Sequence, residues 1–145
     1  LGAELTAIHI GVTDLPYARR GGVTTGDVAG WLEERYGLFS AFVAMHEKVI
    51  QHDIENSLKG AVETMIMRGA GPKRAPLATA LTDIEDLFKD SISMQSYDFK
   101  IPGVPTLAAL KGINHRMKHP YAKRNPRPSF RDTGTFQSSI RAWTD

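Results

Sequence analysis

The chain has 145 residues, 41% of them hydrophobic and 23% charged, the size and composition of one globular domain spanning 1–145; a second domain and global disorder are set aside. There is no cysteine, so disulfides, thiolate catalysis, Cys-based zinc sites and iron–sulfur clusters are excluded together. The net charge of +2 hides a polarity: residues 27–90 carry eleven acidic against seven basic residues and residues 91–145 three against nine, which points to a polyanion partner or to oppositely charged faces meeting between subunits.

In chain order, Ile8-His9-Ile10-Gly11-Val12 alternates with period two and predicts a half-buried strand. Residues 13–26 hold Pro16, Arg19, Arg20 and Gly21-Gly22 and read as a mobile loop. Thr25 and Asp27 are capping residues for a helix with Val28, Trp31 and Leu32 on its buried face, ending near Gly37. Beyond that glycine an apolar stripe runs through Phe42, Met45, Val49, Ile50, Ile54, Leu58, Ala61, Val62, Met65 and Ile66 at ~3.6 residues per turn. Glu47, Lys48, Gln51, Glu55, Lys59 and Glu63 form the opposite, solvated face. A helix of roughly 30 residues is ~45 Å long, more than a compact domain of this size needs, so it is expected to pack on another subunit or to bend near Gly60.

Gly69 to Pro76 reads as a loop, followed by a shorter helix carrying Leu77, Leu81, Ile84, Leu87, Phe88 and Ile92. Tyr97, Phe99 and Ile101 alternate as in a strand before the Pro102-Gly103-Val104-Pro105 turn. Pro105 then opens a helix with Leu107, Leu110, Ile113 and Met117 at helical spacing, stopped by Pro120. Residues 119–131 form a basic, Pro-rich arm or loop, since proline fixes φ and lacks a donor. From Phe130 to Trp143 an Asp-Thr-Gly turn, one helical turn and a final strand are expected. The fold class is therefore α+β: one long amphipathic helix, shorter helices and a small, mainly antiparallel sheet that includes the N- and C-terminal strands.

The chemistry of catalysis is thin. His115 and His119 stand four apart, a metal-pair spacing on a helix, but Arg116 and Lys118 would repel a cation and no third ligand is near. His46, Glu47, His52 and Asp53 fall on different faces of the long helix, the glycines at 69 and 71 lack a dinucleotide fingerprint, and Ser129, Ser138 and Ser139 lack a nucleophile elbow. No enzyme activity, cofactor or metal is expected. The longest apolar runs fall far short of the ~20 residues that cross a bilayer and the first residues lack a signal-peptide layout, so no membrane partner is expected and synthesis is placed in the cytosol.

The densest charge lies in Lys111, Arg116, Lys118, Lys123, Arg124, Arg127 and Arg131, with no acid between them. Such a run either grips the acidic helical half of an adjacent subunit or neutralises phosphates, with Tyr121 and Phe130 available to stack on bases. The second option is a nucleic-acid-binding module built on residues 111–131.

The segment Pro128-Ser129-Phe130-Arg131-Asp132-Thr133-Gly134-Thr135-Phe136-Gln137-Ser138-Ser139-Ile140 resembles the closing motif of tail-completion and virion-morphogenesis proteins of tailed bacteriophages. There an apolar residue precedes Asp-Thr-Gly, and a further apolar residue and Ser-Ile follow. Pro105-Thr106-Leu107-Ala108-Ala109-Leu110-Lys111-Gly112 is similar to the family's preceding segment, and the order matches. The long N-terminal helix departs from the family's core pattern. The resemblance implies an α+β virion protein at the head–tail junction, assembled in the host cytoplasm as a ring around the DNA channel, a hexamer with twelve copies as the alternative. Its implied neighbours are connector, collar, tail-tube or sheath proteins and the DNA passing through the channel. Tail terminator, tail completion, connector and collar all remain open as identities. Within the motif, Asp132 and Thr133 are expected to cap the next turn, Gly134 to permit the bend, and Phe136, Ile140 and Trp143 to anchor the segment in the core.

Overall fold

In the computed structural model, residues 7–18, 21–69, 71, 75–115, 117–131 and 133–145 are described. Strand β1 (Ile8–Val12) pairs antiparallel with the last element, strand β2 (Ile140–Thr144), with Ile10 opposite Ala142 and Val12 opposite Ile140. A two-stranded sheet alone is marginal in water, so this one depends on what it leans against. Ile140 and Ala142 point inward and are buried, while Arg141 and Trp143 point out.

The loop after β1 is tied at its base. Pro16 bridges to Thr24, Tyr17 N–H donates to Val23 O at 3.1 Å, and the buried Thr25 hydroxyl donates to Thr13 O at 2.6 Å and accepts from Leu15 N at 2.8 Å. Asp14 accepts from Gly26 N–H at 3.0 Å. Hydrogen bonds from Thr24 and Gly26 hold the Asp14 carboxyl below its ordinary pKa. Arg19 and Arg20, in the segment 13–26 expected to be a mobile loop, lie outside the described residues.

Helix α1 (Thr25–Tyr36) starts with a capping box in which Thr24 and Asp27 satisfy each other's backbone N–H. Gly37, in the left-handed region at φ 61°, ends α1 and starts α2 (Leu38–Arg68). No side chain of its own caps α2; instead Glu33 reaches from α1 to accept from Phe39 N–H at 2.7 Å and from the Ser40 hydroxyl, satisfying donors that a helix start leaves orphaned. Helix α3 (Ala78–Ser93) returns antiparallel along α2, with Phe42 stacked on Phe88 at 4.2 Å and Ser57 donating to Pro76 O at 2.8 Å. Leu38, Phe42, Ile84, Phe88, Ile92, Tyr97 and Ile140 make the centre of the core.

Two expected elements are replaced. Residues 94–106 form consecutive turns and no strand: Tyr97 and Ile101 are buried, but Phe99, with φ 61°, is 89% exposed. The buried Tyr97 OH lies 2.6 Å from Ser91 Oγ, and burial pushes its pKa up to about 12 against the opposing effect of that hydrogen bond. The helix expected to reach Pro120 is only α4 (Leu107–Lys111), capped by Thr106. It ends because Gly112 takes φ 61° and a Cβ there would meet Asn125 O at 2.7 Å, so the returning loop occupies the space the helix would need. Ala109 is the buried residue of α4, whereas Leu107, Leu110 and Met117 are exposed.

Helix α5 (Thr135–Ser139) leads straight into β2, with Gly134 at φ 85° making the bend before it. Gln137 Nε2 donates to Lys89 O and to Ser93 Oγ, both at 2.6 Å, clasping α5 to α3. On the outer edge of β2, Ala142 N–H donates to Glu85 Oε1 of α3 at 2.9 Å. The result is a single α+β domain with one long helix and a small antiparallel sheet made from the terminal strands. Among the described residues no helix is long and apolar enough to cross a membrane.

Candidate assembly surface

Helix α2 is about 46 Å long at 1.5 Å per residue, while α3 spans about 24 Å. Because α3 begins beside Ser57, the last eleven residues of α2 run past it. There Leu58 is 41% exposed, Val62 53%, Ile66 75% and Met67 83%, values that belong to a surface although the residue types belong to a core. Val43, Met45 and Val49 are also exposed nearer the start of α2. The stripe read from the sequence is thus a real helical feature, but only Phe42 of it is fully buried in this chain.

The polar side of α2 is mixed in charge: Glu47, Lys48, Glu55, Lys59 and Glu63 are all exposed, with Glu55 accepting from Gln51 Nε2 at 2.8 Å. Beside the N-terminal third of α2, an open groove of about 590 Å³ lies between Phe39, Val43, Ala44 and the β1 residues Ile8 and Ile10. Its far wall is formed by β1, which pairs with β2 alone among the described residues.

The basic segment behaves differently from an extended arm. Thr106 N–H donates to Ser129 Oγ at 3.1 Å and Arg127 N–H to Ala109 O at 3.0 Å, folding residues 124–129 back onto α4. Lys111, Lys118, Lys123 and Arg131 are exposed. Arg124 is half-buried, its guanidinium donating to Pro120 O at 3.1 Å and His119 O at 2.7 Å. Arg127 is likewise half-buried; Nη1 donates to Arg131 O at 2.7 Å, and Nε is buried without a partner among the described residues. Leaving such a donor unpaired costs about 1–3 kcal/mol. Arg116 lies outside the described residues.

In the closing motif Phe136 and Ile140 are core residues, as expected, at 5% and 0% exposure. Trp143 is not an anchor in the core: it is 45% exposed on the outer face of the sheet, stacked on His9 with ring centroids 5.5 Å apart and lying across Gly11. Strand alternation explains the outcome, because Ile140 and Ala142 take the inward positions and Trp143 falls on the opposite face. Thr133 is exposed with its hydroxyl 2.9 Å from that of Thr135, and α5 has no side-chain cap; Asp132 lies outside the described residues. On α1, Trp31 is 53% exposed, while Val28 and Leu32 pack against the core.

His115 and His119 do not share a helix, because α4 stops at Lys111; His115 instead meets Tyr121 edge-on at 5.6 Å. Among the described residues there is no group of three His, Asp or Glu side chains placed to hold a metal. The features sequence reasoning missed are Glu85 on the sheet edge, Gln137 between α5 and α3, and the unpaired Nε of Arg127. Each is a single polar residue acting over a long sequence separation, for which no local pattern exists. No family model matches this chain, and neither does any curated protein or solved structure.

Proposed function

We propose that this chain is a non-catalytic structural subunit of a tailed-bacteriophage virion that assembles with copies of itself into a closed ring at the head–tail junction. The observation that carries the self-assembly is the far end of α2, where Leu58, Val62 and Ile66 recur every four residues and stand exposed beyond the start of α3. Removing apolar surface from water is favourable by roughly 25 cal/mol per Å², and contiguous exposed patches of this kind mark association surfaces. The phage assignment rests on the closing motif and on its order after the Pro105–Gly112 segment.

Charge favours a head-to-tail contact. The more acidic helical half, residues 27–90, and the exposed Lys111, Lys118, Lys123 and Arg131 belong to different parts of the same chain, so one copy offers each sign to a different neighbour. A heterologous contact that closes gives a ring, here of six copies or twelve. Native mass measurement tests this: a closed oligomer is expected, dispersed by Val62→Glu with Ile66→Glu and weakened by salt. A chain that stays monomeric at high concentration and is absent from purified particles overturns it.

One observation favours nucleic acid as a second reading. Tyr121 is 75% exposed between Lys118 and Lys123, a stacking ring beside phosphate-neutralising charges. This reading predicts binding of single-stranded DNA that falls steeply with salt. Absence of binding at low salt eliminates it.

A further inference from the structure

A groove of about 370 Å³ runs between the second half of α2 and the start of α3. Asp53, Ser57 and Thr64 of α2 line it together with Thr79 and Asp83 of α3. Steps of three and four residues along α2 lead from the buried Phe42 through His46, Ile50 and Asp53 to Ser57, Gly60 and Thr64. The groove is therefore the open continuation of the face that α2 buries in the core, and there it is written in small and polar residues.

The chemistry of the groove is that of an acceptor. The Ser57 hydroxyl is spent on Pro76 O and the Thr64 hydroxyl on Gly60 O, each at 2.8 Å, which leaves their oxygen lone pairs. Asp53 is half-buried and Asp83 exposed; neither has a hydrogen-bond or ion-pair partner among the described residues, and neither carboxylate is closed off from solvent. None of the described lining residues is basic. A lysine ammonium, with three donors and no acceptor, is the complement of such a surface.

The same chain carries that complement away from the groove. Residues 117–124 form a turn tied to itself: Asn114 N–H donates to Pro120 O at 3.1 Å, Ala122 N–H to His119 O at 3.2 Å, and the Arg124 guanidinium clamps both of those carbonyls. Lys118, Tyr121 and Lys123 stand exposed on it, and residues 99–131 contain no acid. A turn already fixed loses little freedom on docking, so more of its contact energy appears as affinity.

We propose that the basic turn 117–124 of one copy docks in the α2–α3 groove of the next, with Lys118 and Lys123 against Asp53 and Asp83 and Tyr121 over the open space at Gly60. This contact rests on the self-assembly reading and gives it a direction. Each copy has one turn and one groove in different places, so the contact is heterologous and passes from copy to copy.

The test mixes two reversed chains. Asp53→Lys with Asp83→Lys makes a chain whose groove and turn are both basic; Lys118→Glu with Lys123→Glu makes one in which both are acidic. Each alone, once thermal melting shows it folded, is expected to self-associate roughly tenfold or more weakly than the wild type in sedimentation, because like charges now meet. An equimolar mixture is expected to recover the wild-type oligomer, with equal numbers of the two chains by native mass measurement. Should Asp53→Lys unfold the chain, Asp83→Lys alone, at an exposed position, takes its place. The proposal is overturned if either reversed chain assembles like the wild type, or if two folded reversed chains recover no oligomer on mixing. Lysine reversals that abolish binding of single-stranded DNA but leave the oligomer intact assign the turn to nucleic acid and overturn it too. If Val62→Glu with Ile66→Glu disperses the wild type while the groove reversals do not, this contact falls and self-assembly stands; a wild type that stays monomeric overturns both.

Discussion

At the start of α2, Leu38 and Phe42 are fully buried and Phe42 lies flat on Phe88 at 4.2 Å; at its far end, Val62, Ile66 and Met67 are 53%, 75% and 83% exposed. The same helix, written in the same kind of residues, is a core element at one end and a surface at the other. Amphipathic spacing specifies a helix with a preferred face, but what covers the face is decided by the length and register of the partner. Here α3 supplies sixteen residues against thirty-one, and the difference is what a second copy is proposed to cover.

Four substitutions sharpen or break that contrast. Phe42→Ala removes a fully buried ring from the packed end and is expected to cost about 3–5 kcal/mol, read as a lower urea midpoint with an unchanged slope. Tyr97→Phe loses the hydrogen bond to Ser91 and is expected to cost about 1 kcal/mol near neutral pH. It also changes the alkaline limb. Because the folded pKa of about 12 lies above the ordinary tyrosine value of about 10, the folded state holds the phenolic proton more tightly; that stability is fully present below about pH 10 and is lost as pH rises toward 12. Melting temperature should therefore fall more steeply over this window in the wild type than in Tyr97→Phe, and parallel profiles would show that Tyr97 is not buried in solution.

Trp143→Ala, at the half-exposed outer face of the sheet, is expected to cost roughly 1 kcal/mol by thermal melting, well below the loss from a buried ring. The smallest effect on folding belongs to Val62→Asp at the exposed end, under about 0.5 kcal/mol, together with a loss of self-association in sedimentation. If Val62→Asp unfolded as readily as Phe42→Ala, the two ends of α2 would not differ and the assembly surface would have to be sought elsewhere.

Helices α1, α2 and α3 and both terminal strands were legible because each presents a period: Val28 and Leu32 in α1, Phe42, Met45 and Val49 in α2, and Ile84 and Phe88 in α3 recur at helical spacing, and Ile8-His9-Ile10 alternates. Periodicity misled where turns carry the structure. Gln95, Phe99 and Phe130 adopt positive φ without being glycine, which no propensity anticipates, and the apparent strand 97–101 is two buried side chains separated by a turn. In residues 107–117 the large apolar residues suggested the buried face, yet a small one, Ala109, is what packs, because the loop from Arg124 to Ser129 closes over it. The arginines of that loop also bind carbonyl oxygens flanking it, those of His119, Pro120 and Arg131, contacts that charge patterning does not reveal, and a cavity lined by Arg127, Leu32 and Phe136 exists only once α1 and the closing motif are brought together.

The carboxylate of Glu85 sits on the outer edge of β2, holding the Ala142 N–H at 2.9 Å and steadied by Lys89 at 3.5 Å. A strand arriving at that rim would have to displace the carboxylate before it could pair with Ala142, so β2 carries its own guard against edge-to-edge pairing.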